Sequence, residues 1–380
     1  MTASAAKPVV LCKRTAALFW RAVREGRIEA PEPCEMPYPF SSASGYRDLA
    51  GIDISSLGLT LTNRGALSLC NQRWITVQEG NRTHQELIYA PSGIALPPGT
   101  LMPLDILVCT KNQSRNGPVI APHVLSNAVP PHSFCKVAER IFVTSALLTY
   151  VQSCLTKRTL PNIELGLEWC GSYALSAPSC PHVDHADQLF SADELRAYVD
   201  SIHYLSGVGA ARESSAWLAD GLASPRETEV YLLLVLPPSL GGFGFTKPLV
   251  NEPIPLKGAL AKSMTSDPFY IVDLLYRRGS TGVVIEYDGK DDHESTAEEV
   301  IRDKERRSVL AALGYTVIVI TRRDLSNLRR LRQKGAQIAR AIGEELPDET
   351  SVEARLAQSN LIRWLLNPSH DHLPFGFGYF

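Results

Sequence analysis

The spacing of hydrophobic and polar residues predicts an irregular N-terminal half and a regular C-terminal part. The first half is rich in proline, and its predicted elements are an amphipathic helix at 14–25, strands at 75–80 and 103–110, and a longer helix at 136–154. Gly, Ala and Ser are concentrated before Ser224. We therefore place a soft boundary between the halves near 207–223.

From Ser224 onward the pattern is regular. Ser224 followed by Pro225 is typical of a helix start, and Pro237 ends that helix. The predicted elements that follow are strands at 269–277 and 283–288, a helix from 296 to about 313, a strand at 315–321 and a helix at 325–342.

The connections in this part predict the arrangement of its strands. The short link between the first two strands indicates an antiparallel hairpin. The strand at 315–321 is almost wholly apolar, which predicts burial on both of its faces. The expected order is α-β-β-α-β-α, a mixed sheet with helices on its faces, within a chain of the α/β (α+β) class.

Composition and charge then limit the class of protein. The chain has 380 residues, 44% of them hydrophobic and 21% charged, which excludes a disordered, collagen-like or small disulfide-rich protein and suits two or three domains of about 150 residues. The net charge is −2. Any nucleic-acid-binding surface must therefore be a local basic patch.

The compartment is predicted from apolar runs and cysteines. The longest apolar run, 231–236, is far shorter than the about 20 residues of a membrane span, and the N-terminal residues show no hydrophobic signal core. The eight cysteines form no C-x-x-C pair and precede residue 181. We expect no membrane segment, reduced and buried thiols, and a cytoplasmic location.

Carboxylates in adjacent predicted strands are the main candidate chemistry. Asp273 lies in the first strand, whereas Glu286 and Asp288 lie two apart in the second and so share one face. Charges in a half-buried sheet are costly unless they are paired or bind a metal. Oxygen ligands of this kind favour Mg²⁺, with Mn²⁺ as the alternative ion, over zinc.

Residues near these acids could take a proton or contact a phosphate. His293 follows the second strand and could accept a proton from water, with Lys290 or water itself as alternatives. Asp303 and Arg306 share a face of the next helix, where Arg306 could contact a phosphate. The segment 321–340 has a net charge of +6 from Arg322, Arg323, Arg329, Arg330, Arg332, Lys334 and Arg340 against Asp324.

Each of these features also has a structural interpretation. Asp288-Gly289 is a common turn, and His293 could be an ordinary loop histidine. Asp303 could pair with Arg307 on the helix surface, and the basic helix could simply be solvated. The carboxylate of Glu227 suits the first turn of any helix. Cys180, His182 and His185 fit a polar loop better than a metal site.

Two stretches, VDLLYRRGSTGVVIEYDGKDDH and DKERRSVLAALGYTVIVIT, resemble the very-short-patch-repair (Vsr)-like branch of the PD-(D/E)XK nuclease superfamily. The resemblance implies a restriction-endonuclease-like fold and Mg²⁺-dependent DNA cleavage in defence or repair. It also implies that Glu227 is the first-helix acid, Asp273 the principal metal ligand and Glu286 the acid of the second strand, and it matches Asp288, His293, Asp303 and Arg306 to the remaining motif positions. The superfamily's usual lysine, two residues after the glutamate, is Asp288 here.

The N-terminal half resembles abortive-infection-type antitoxin proteins in FVTSALLTYVQ and LGLEWCGSY, which implies a regulatory or DNA-binding role. We expect three parts: a mixed α/β region at 1–207 that could bind DNA or a protein partner, a nuclease-like domain at 224–343 and a C-terminal tail at 344–380. The alternative function is a non-catalytic DNA-binding regulator that uses a nuclease fold. Both the nuclease and the regulator are expected to bind DNA in a salt-sensitive way, but only the nuclease is expected to cleave it.

Overall fold

The structure is a computed structural model that describes residues 8–26, 28–35, 72–79, 82–89, 94–95, 104–110, 120–138, 141–154, 159–175, 182–256, 269–289, 297–348 and 351–366. The chain combines helices with mixed and antiparallel sheets, and the fold is of the predicted α+β class.

The strands are β1 (Val9–Leu11), β2 (Glu32–Cys34), β3 (Gln72–Glu79), β4 (Arg82–Tyr89), β5 (Ile94–Ala95), β6 (Leu104–Val108), β7 (Ile120–Val124), β8 (Phe134–Lys136), β9 (Ile141–Thr144), β10 (Tyr173–Leu175), β11 (His182–Asp184), β12 (Leu249–Pro255), β13 (Phe269–Arg278), β14 (Thr281–Asp288) and β15 (Tyr315–Thr321). The helices are α1 (Lys13–Arg24), α2 (Ala146–Ser153), α3 (Thr159–Cys170), α4 (Ala192–Asp200), α5 (Val208–Ser215), α6 (Pro225–Val235), α7 (Ala297–Ala312), α8 (Arg322–Leu325), α9 (Leu328–Ile342) and α10 (Val352–Leu365).

The chain divides into two compact units. The first comprises 1–166 and 189–216, and the second comprises 167–188 and 217–380. The point where the chain finally enters the second unit lies inside the interval 207–223. The segment 167–188, which the sequence pattern grouped with the N-terminal half, belongs to the second unit.

The first unit is built on a six-stranded mixed sheet in the order β2-β8-β9-β1-β6-β7. Two pairs, β1 with β9 and β6 with β7, are parallel, and the others are antiparallel. Helix α1 packs on this sheet with Phe19 and Trp20 buried, and the Trp20 indole donates a hydrogen bond to Thr144 O at 2.8 Å. Strands β3, β4 and β5 form a separate antiparallel sheet.

The predicted long helix at 136–154 is wrong in its first half. Residues 134–136 and 141–144 form β8 and β9, and helix begins only at Ala146. Ile141, Phe142, Val143 and Thr144 are β-branched or aromatic residues, which suit a pleated strand better than a helix. The helix begins where Ser145 accepts a hydrogen bond from Leu148 N at 3.3 Å.

The second unit contains the four-stranded mixed sheet β12-β13-β14-β15. The predicted antiparallel hairpin of β13 and β14 is confirmed, and β14 pairs with β15 in parallel. Strand β12, antiparallel to β13, was absent from the predicted order. Its sequence LVNEPIP contains two prolines, which mask the strand pattern and which only an edge strand tolerates.

Strand β15 is the other edge of this sheet, and it carries buried side chains on both of its faces, as predicted, because odd-numbered and even-numbered residues point to opposite faces. Tyr315, Ile318 and Ile320 are buried, but Thr316 is exposed. A strand at an edge has only one neighbouring strand. The apolar residues of β15 pack against the helices that contact it, α7, α8 and α9.

The predicted helix at 325–342 is confirmed as α9, which begins at Leu328 and is preceded by the short helix α8. Helix α8 ends at Leu325, and α9 begins after Asn327, which accepts a hydrogen bond from Arg330 N at 3.1 Å. It ends as predicted at Gly343, which has a left-handed conformation with φ of 71°.

Residues 344–348 and 351–366 pack on the rest of the second unit. Arg332 of α9 donates a hydrogen bond to Pro347 O at 2.9 Å, and Thr246 donates one to the Glu344 carboxylate at 2.6 Å. Gln358 and Leu361 of α10 are buried. The described part of the unit therefore continues to the end of α10.

In the described residues no helix has the length and apolar character to cross a membrane. The described cysteines are free thiols, and four of them, Cys12, Cys135, Cys154 and Cys170, are buried as predicted. Cys34 and Cys109 are only partly buried.

Candidate functional site

Asp273 lies where the pairing of β13 with its neighbours is irregular. One of its carboxylate oxygens accepts a hydrogen bond from Tyr287 N of β14 at 2.9 Å. Val272 and Leu275 are three residues apart, yet both belong to the hydrophobic cluster with Leu310 of α7. A regular strand would project these two side chains from opposite faces, so the alternation breaks at Asp273.

Glu286, near the end of β14, is 9% exposed and faces helix α7. Its Oε1 atom lies 2.8 Å from Nη2 of Arg306. This ion pair lacks the angle of a hydrogen bond, and in the described part of the chain Glu286 Oε1 and Arg306 Nε have no hydrogen-bond partner. The carboxylate is thus held by charge, and its Oε1 atom is buried without a hydrogen bond.

Arg306 is fixed by two further contacts on β13. Its Nη2 atom donates a hydrogen bond to Ile271 O at 2.5 Å, and its guanidinium lies 5.7 Å from the centroid of the Tyr270 ring. The side chain remains 32% exposed. The structure therefore places this predicted phosphate contact over the acidic pocket.

Glu227 lies in the first turn of α6, which begins as predicted with Ser224 as N-cap and Pro225 in the first turn. Its carboxylate accepts three hydrogen bonds, each of 2.9 Å, from Ala223 N, the Ser224 hydroxyl and the Asn251 side-chain amide. Asn251 belongs to β12, the strand that pairs with β13, and β13 carries Asp273. Glu227 is therefore rigidly oriented toward the β12–β13 side of the sheet.

The pKa values show that the three acids share one electrostatic environment. Burial raises the pKa of Glu227, of Asp273 and of Glu286. The charge of Asp273 raises the pKa of both glutamates further, whereas Arg306 lowers the pKa of Asp273 and Glu286. The charge of Asp273 thus acts on both glutamates, and Arg306 is the counter-ion of Asp273 and Glu286.

Asp288 and Asp303 occupy the margin of this pocket. Asp288 Oδ2 lies 3.4 Å from Nη2 of Arg307, so Arg307 pairs with the strand and not with Asp303, its expected partner on the helix. Asp303 is close enough for its charge to raise the pKa of Glu286. The structure therefore brings the helical residues predicted at this site to the Glu286 face of the sheet.

The predicted basic residues begin beside the acids, since parallel pairing sets Thr321 opposite Asp288. Arg322, Arg323 and Arg329 are exposed. Arg330 is also half-exposed but pairs through Nε with Asp324 Oδ1 at 3.0 Å. Arg332 is directed to Pro347 O and does not contribute to an open basic surface.

Several predicted residues lie outside the described part of the chain. They are Lys290 and His293, the alternative proton acceptors, together with Thr296, the first residue of the predicted helix from 296 to about 313, and Cys180 of the polar loop. The structure gives no geometry for these residues.

Two residues of the site, Asn251 and Tyr270, were missed by sequence reasoning. Asn251 has a left-handed backbone with φ of 46°, a conformation that asparagine tolerates better than most residues. Nothing in the sequence pattern marks this position, because the strand that contains it was not predicted. Tyr270 carried no signal beyond that of an aromatic strand residue.

The donor set suits a hard divalent cation. Asp273 and Glu286 offer carboxylate oxygens on neighbouring strands, and the Oε1 atom of Glu286 is buried without a hydrogen bond. Within the described residues no three acidic, histidine or cysteine side chains form a ready ligand cluster. Mg²⁺ is commonly held by one or two carboxylates and retains several waters, so the pair fits this ion.

We compared the chain with protein-family models, curated proteins and solved structures, and none of the three comparisons gave a match.

Proposed function

We propose that the second unit is a Mg²⁺-dependent endonuclease of the Vsr-like PD-(D/E)XK type that hydrolyses phosphodiester bonds of DNA. The observation that supports this proposal is that Asp273 lies near enough to Glu227 of α6 and Glu286 of β14 for its charge to raise the pKa of both glutamates. Uncompensated acids at such a site destabilise the fold, and residues with perturbed pKa values cluster at functional sites.

In this proposal each group has a distinct task. Asp273 and Glu286 hold the ion, and Glu227, fixed by its three hydrogen bonds, orients the Asp273 side of the pocket. When bound, Mg²⁺ supplies charge stabilisation and an activated water. Arg322, Arg323 and Arg329 bind the DNA backbone beside the acids as exposed cations.

The alternative is a non-catalytic DNA-binding regulator. It is favoured by the pairing of Glu286 with Arg306 and of Asp288 with Arg307, because arginines can neutralise these acids without a metal. We propose a cytoplasmic location for either function, based on the cysteine use, and a partner-binding role for the first unit, based on its resemblance to antitoxin proteins.

Cleavage distinguishes the two functions. We expect purified protein to cut plasmid or mismatched duplex DNA with Mg²⁺ or Mn²⁺ and to stop when EDTA is added. Glu286→Ala should lower the rate by roughly a hundredfold or more, since metal ligation contributes several kcal/mol to such reactions.

Glu298→Ala is the matched control, because Glu298 lies on α7 with an 84% exposed side chain. Its rate should equal that of the unchanged protein. DNA binding without cleavage under every metal condition would instead identify the non-catalytic regulator.

A further inference from the structure

Arg306 stands where a bound cation would stand. Its Nη2 atom lies 2.8 Å from Glu286 Oε1 and also donates to Ile271 O. Its guanidinium charge lowers the pKa of both Asp273 and Glu286, so one side chain acts as the counter-ion of the two acids assigned to the metal. A divalent cation that binds Glu286 through the same oxygen must compete with this arginine.

The ion pair between Arg306 and Glu286 is of a kind that a competing ligand can break. The ion pair lacks hydrogen-bond angles, and although Glu286 Oε1 is buried, the Arg306 side chain is 32% exposed, so a ligand can reach the guanidinium side of the pair. A guanidinium binds phosphate as well as carboxylate, because its fork of N–H donors matches both groups. An incoming phosphodiester therefore offers Arg306 an alternative partner at the edge of the same pocket.

We propose that Arg306 is an internal latch: in the free protein its guanidinium occupies Glu286 and weakens metal binding, and a DNA phosphate releases it so that metal and substrate bind cooperatively. This inference rests on the proposed function. It deepens that function by assigning a regulatory role to a side chain otherwise expected only to contact the substrate.

The first test measures Mn²⁺ binding to the full chain by titration calorimetry without DNA. Arg306→Gln should bind Mn²⁺ about tenfold more tightly than the unchanged protein, because the ion no longer competes with a guanidinium charge for Glu286. Arg302→Gln is the control, since Arg302 lies on the same helix, is 76% exposed and pairs only weakly, at 3.9 Å, with Glu298. It removes the same charge and should leave the affinity unchanged.

Equal affinities in all three proteins, or equal tightening in both variants, would overturn the latch and leave the nuclease proposal to its own cleavage assay. If no variant bound Mn²⁺ even with DNA, both proposals would fail. Arg306→Lys keeps the charge but loses the planar fork and should give an intermediate affinity. It tests the latch even where the glutamine variant does not fold.

The second test measures the coupling itself. Ca²⁺ binding is titrated with and without a short DNA duplex, and a gel confirms that the duplex stays intact. In the unchanged protein DNA should tighten Ca²⁺ binding, and by linkage Ca²⁺ should tighten DNA binding by the same factor. In Arg306→Gln this factor should shrink toward one. An undiminished factor would show that a phosphate does not act through Arg306.

Discussion

At the scale of single residues, the carboxyl groups of Asp273 and Asp324 have pKa values that are shifted in opposite directions by this fold. Burial raises the pKa of Asp273, and its hydrogen bond from Tyr287 N and the nearby Arg306 do not fully offset that effect. Burial also acts to raise the pKa of Asp324, but hydrogen bonds from Thr321 and Arg330 outweigh it and lower the pKa. The surroundings of Asp273 therefore disfavour its charged form in the absence of a ligand. Those of Asp324 already stabilise its charged form through hydrogen bonds.

This difference predicts opposite pH dependences of stability. A raised pKa contributes stability below the unfolded pKa of about 4, which is lost as the pH rises through the folded value. Asp273→Asn keeps an acceptor for Tyr287 N, so thermal melts should show it more stable than the unchanged protein at pH 8 and equal to it near pH 4.

Asp324→Asn should behave in the opposite way, since a lowered pKa contributes stability above the unfolded pKa and loses it as the pH falls. We expect it to be destabilised at pH 7 by about 1–3 kcal/mol. A stabilised Asp324→Asn, or a destabilised Asp273→Asn with a normal fold at pH 8, would contradict the electrostatics described for the site.

At the scale of elements, the residue that caps helix α6, Ser224, also contacts Glu227 of the candidate site. The Ser224 hydroxyl accepts a hydrogen bond from Glu227 N at 3.1 Å and donates one to the Glu227 carboxylate at 2.9 Å. Ser351, the N-cap of α10, accepts from Ala354 N at 3.0 Å. Replacing each serine by alanine therefore separates the stability that comes from capping the helix from the stability that comes from the hydrogen bond between Ser224 and the Glu227 carboxylate.

We expect Ser351→Ala to cost about 1 kcal/mol of unfolding free energy, the usual value of a serine cap. Ser224→Ala should cost about 1 kcal/mol more, because Glu227 also loses a hydrogen bond. Urea unfolding with unchanged m-values provides the measurement. Equal losses would indicate that Ser224 does not hold Glu227.

At the scale of the whole molecule, each compact unit has its own buried interior and its own charge network. In the first unit Asp105, with a side chain 10% exposed, lies 2.7 Å from His123 Nε2 and 3.4 Å from Arg14 Nε. Its backbone N–H donates to the Thr15 hydroxyl at 2.8 Å. Residues of α1, β6 and β7 are thus joined through one buried carboxylate.

Removing this carboxylate should affect the first unit alone. Asp105→Ala removes the carboxylate that pairs with Arg14 and His123, whose side chains are each 27% exposed, and should cost about 1–3 kcal/mol. In hydrogen exchange, the amides of β6 and β7 should lose protection while those of β14 keep theirs. Asp200→Ala, at a residue whose side chain is 72% exposed and whose partner Arg212 is 3.3 Å away, should cost less than about 1 kcal/mol. Loss of protection in β14 would show that the units do not unfold separately.

The sequence by itself determined the elements whose signals are local. Helix starts such as Ser224-Pro225, the β13–β14 hairpin and the left-handed end at Gly343 follow from capping, turn chemistry and the alternation of side chains. It also identified the acids of β13 and β14 and the basic residues after β15 as candidate chemistry, since charges in apolar strands are conspicuous against their neighbours.

Only the tertiary structure decided what these charges face. Sequence spacing gives the face of a strand or helix, but it does not give the neighbour that fills that face. Arg306 therefore looked like a phosphate contact and was found on Glu286, and Arg307 was found on Asp288. Strand β12, with Asn251 beside Glu227, was hidden by its prolines. These contacts join residues far apart in the chain, and they form only because folding packs α6, α7 and β12 around one end of the sheet.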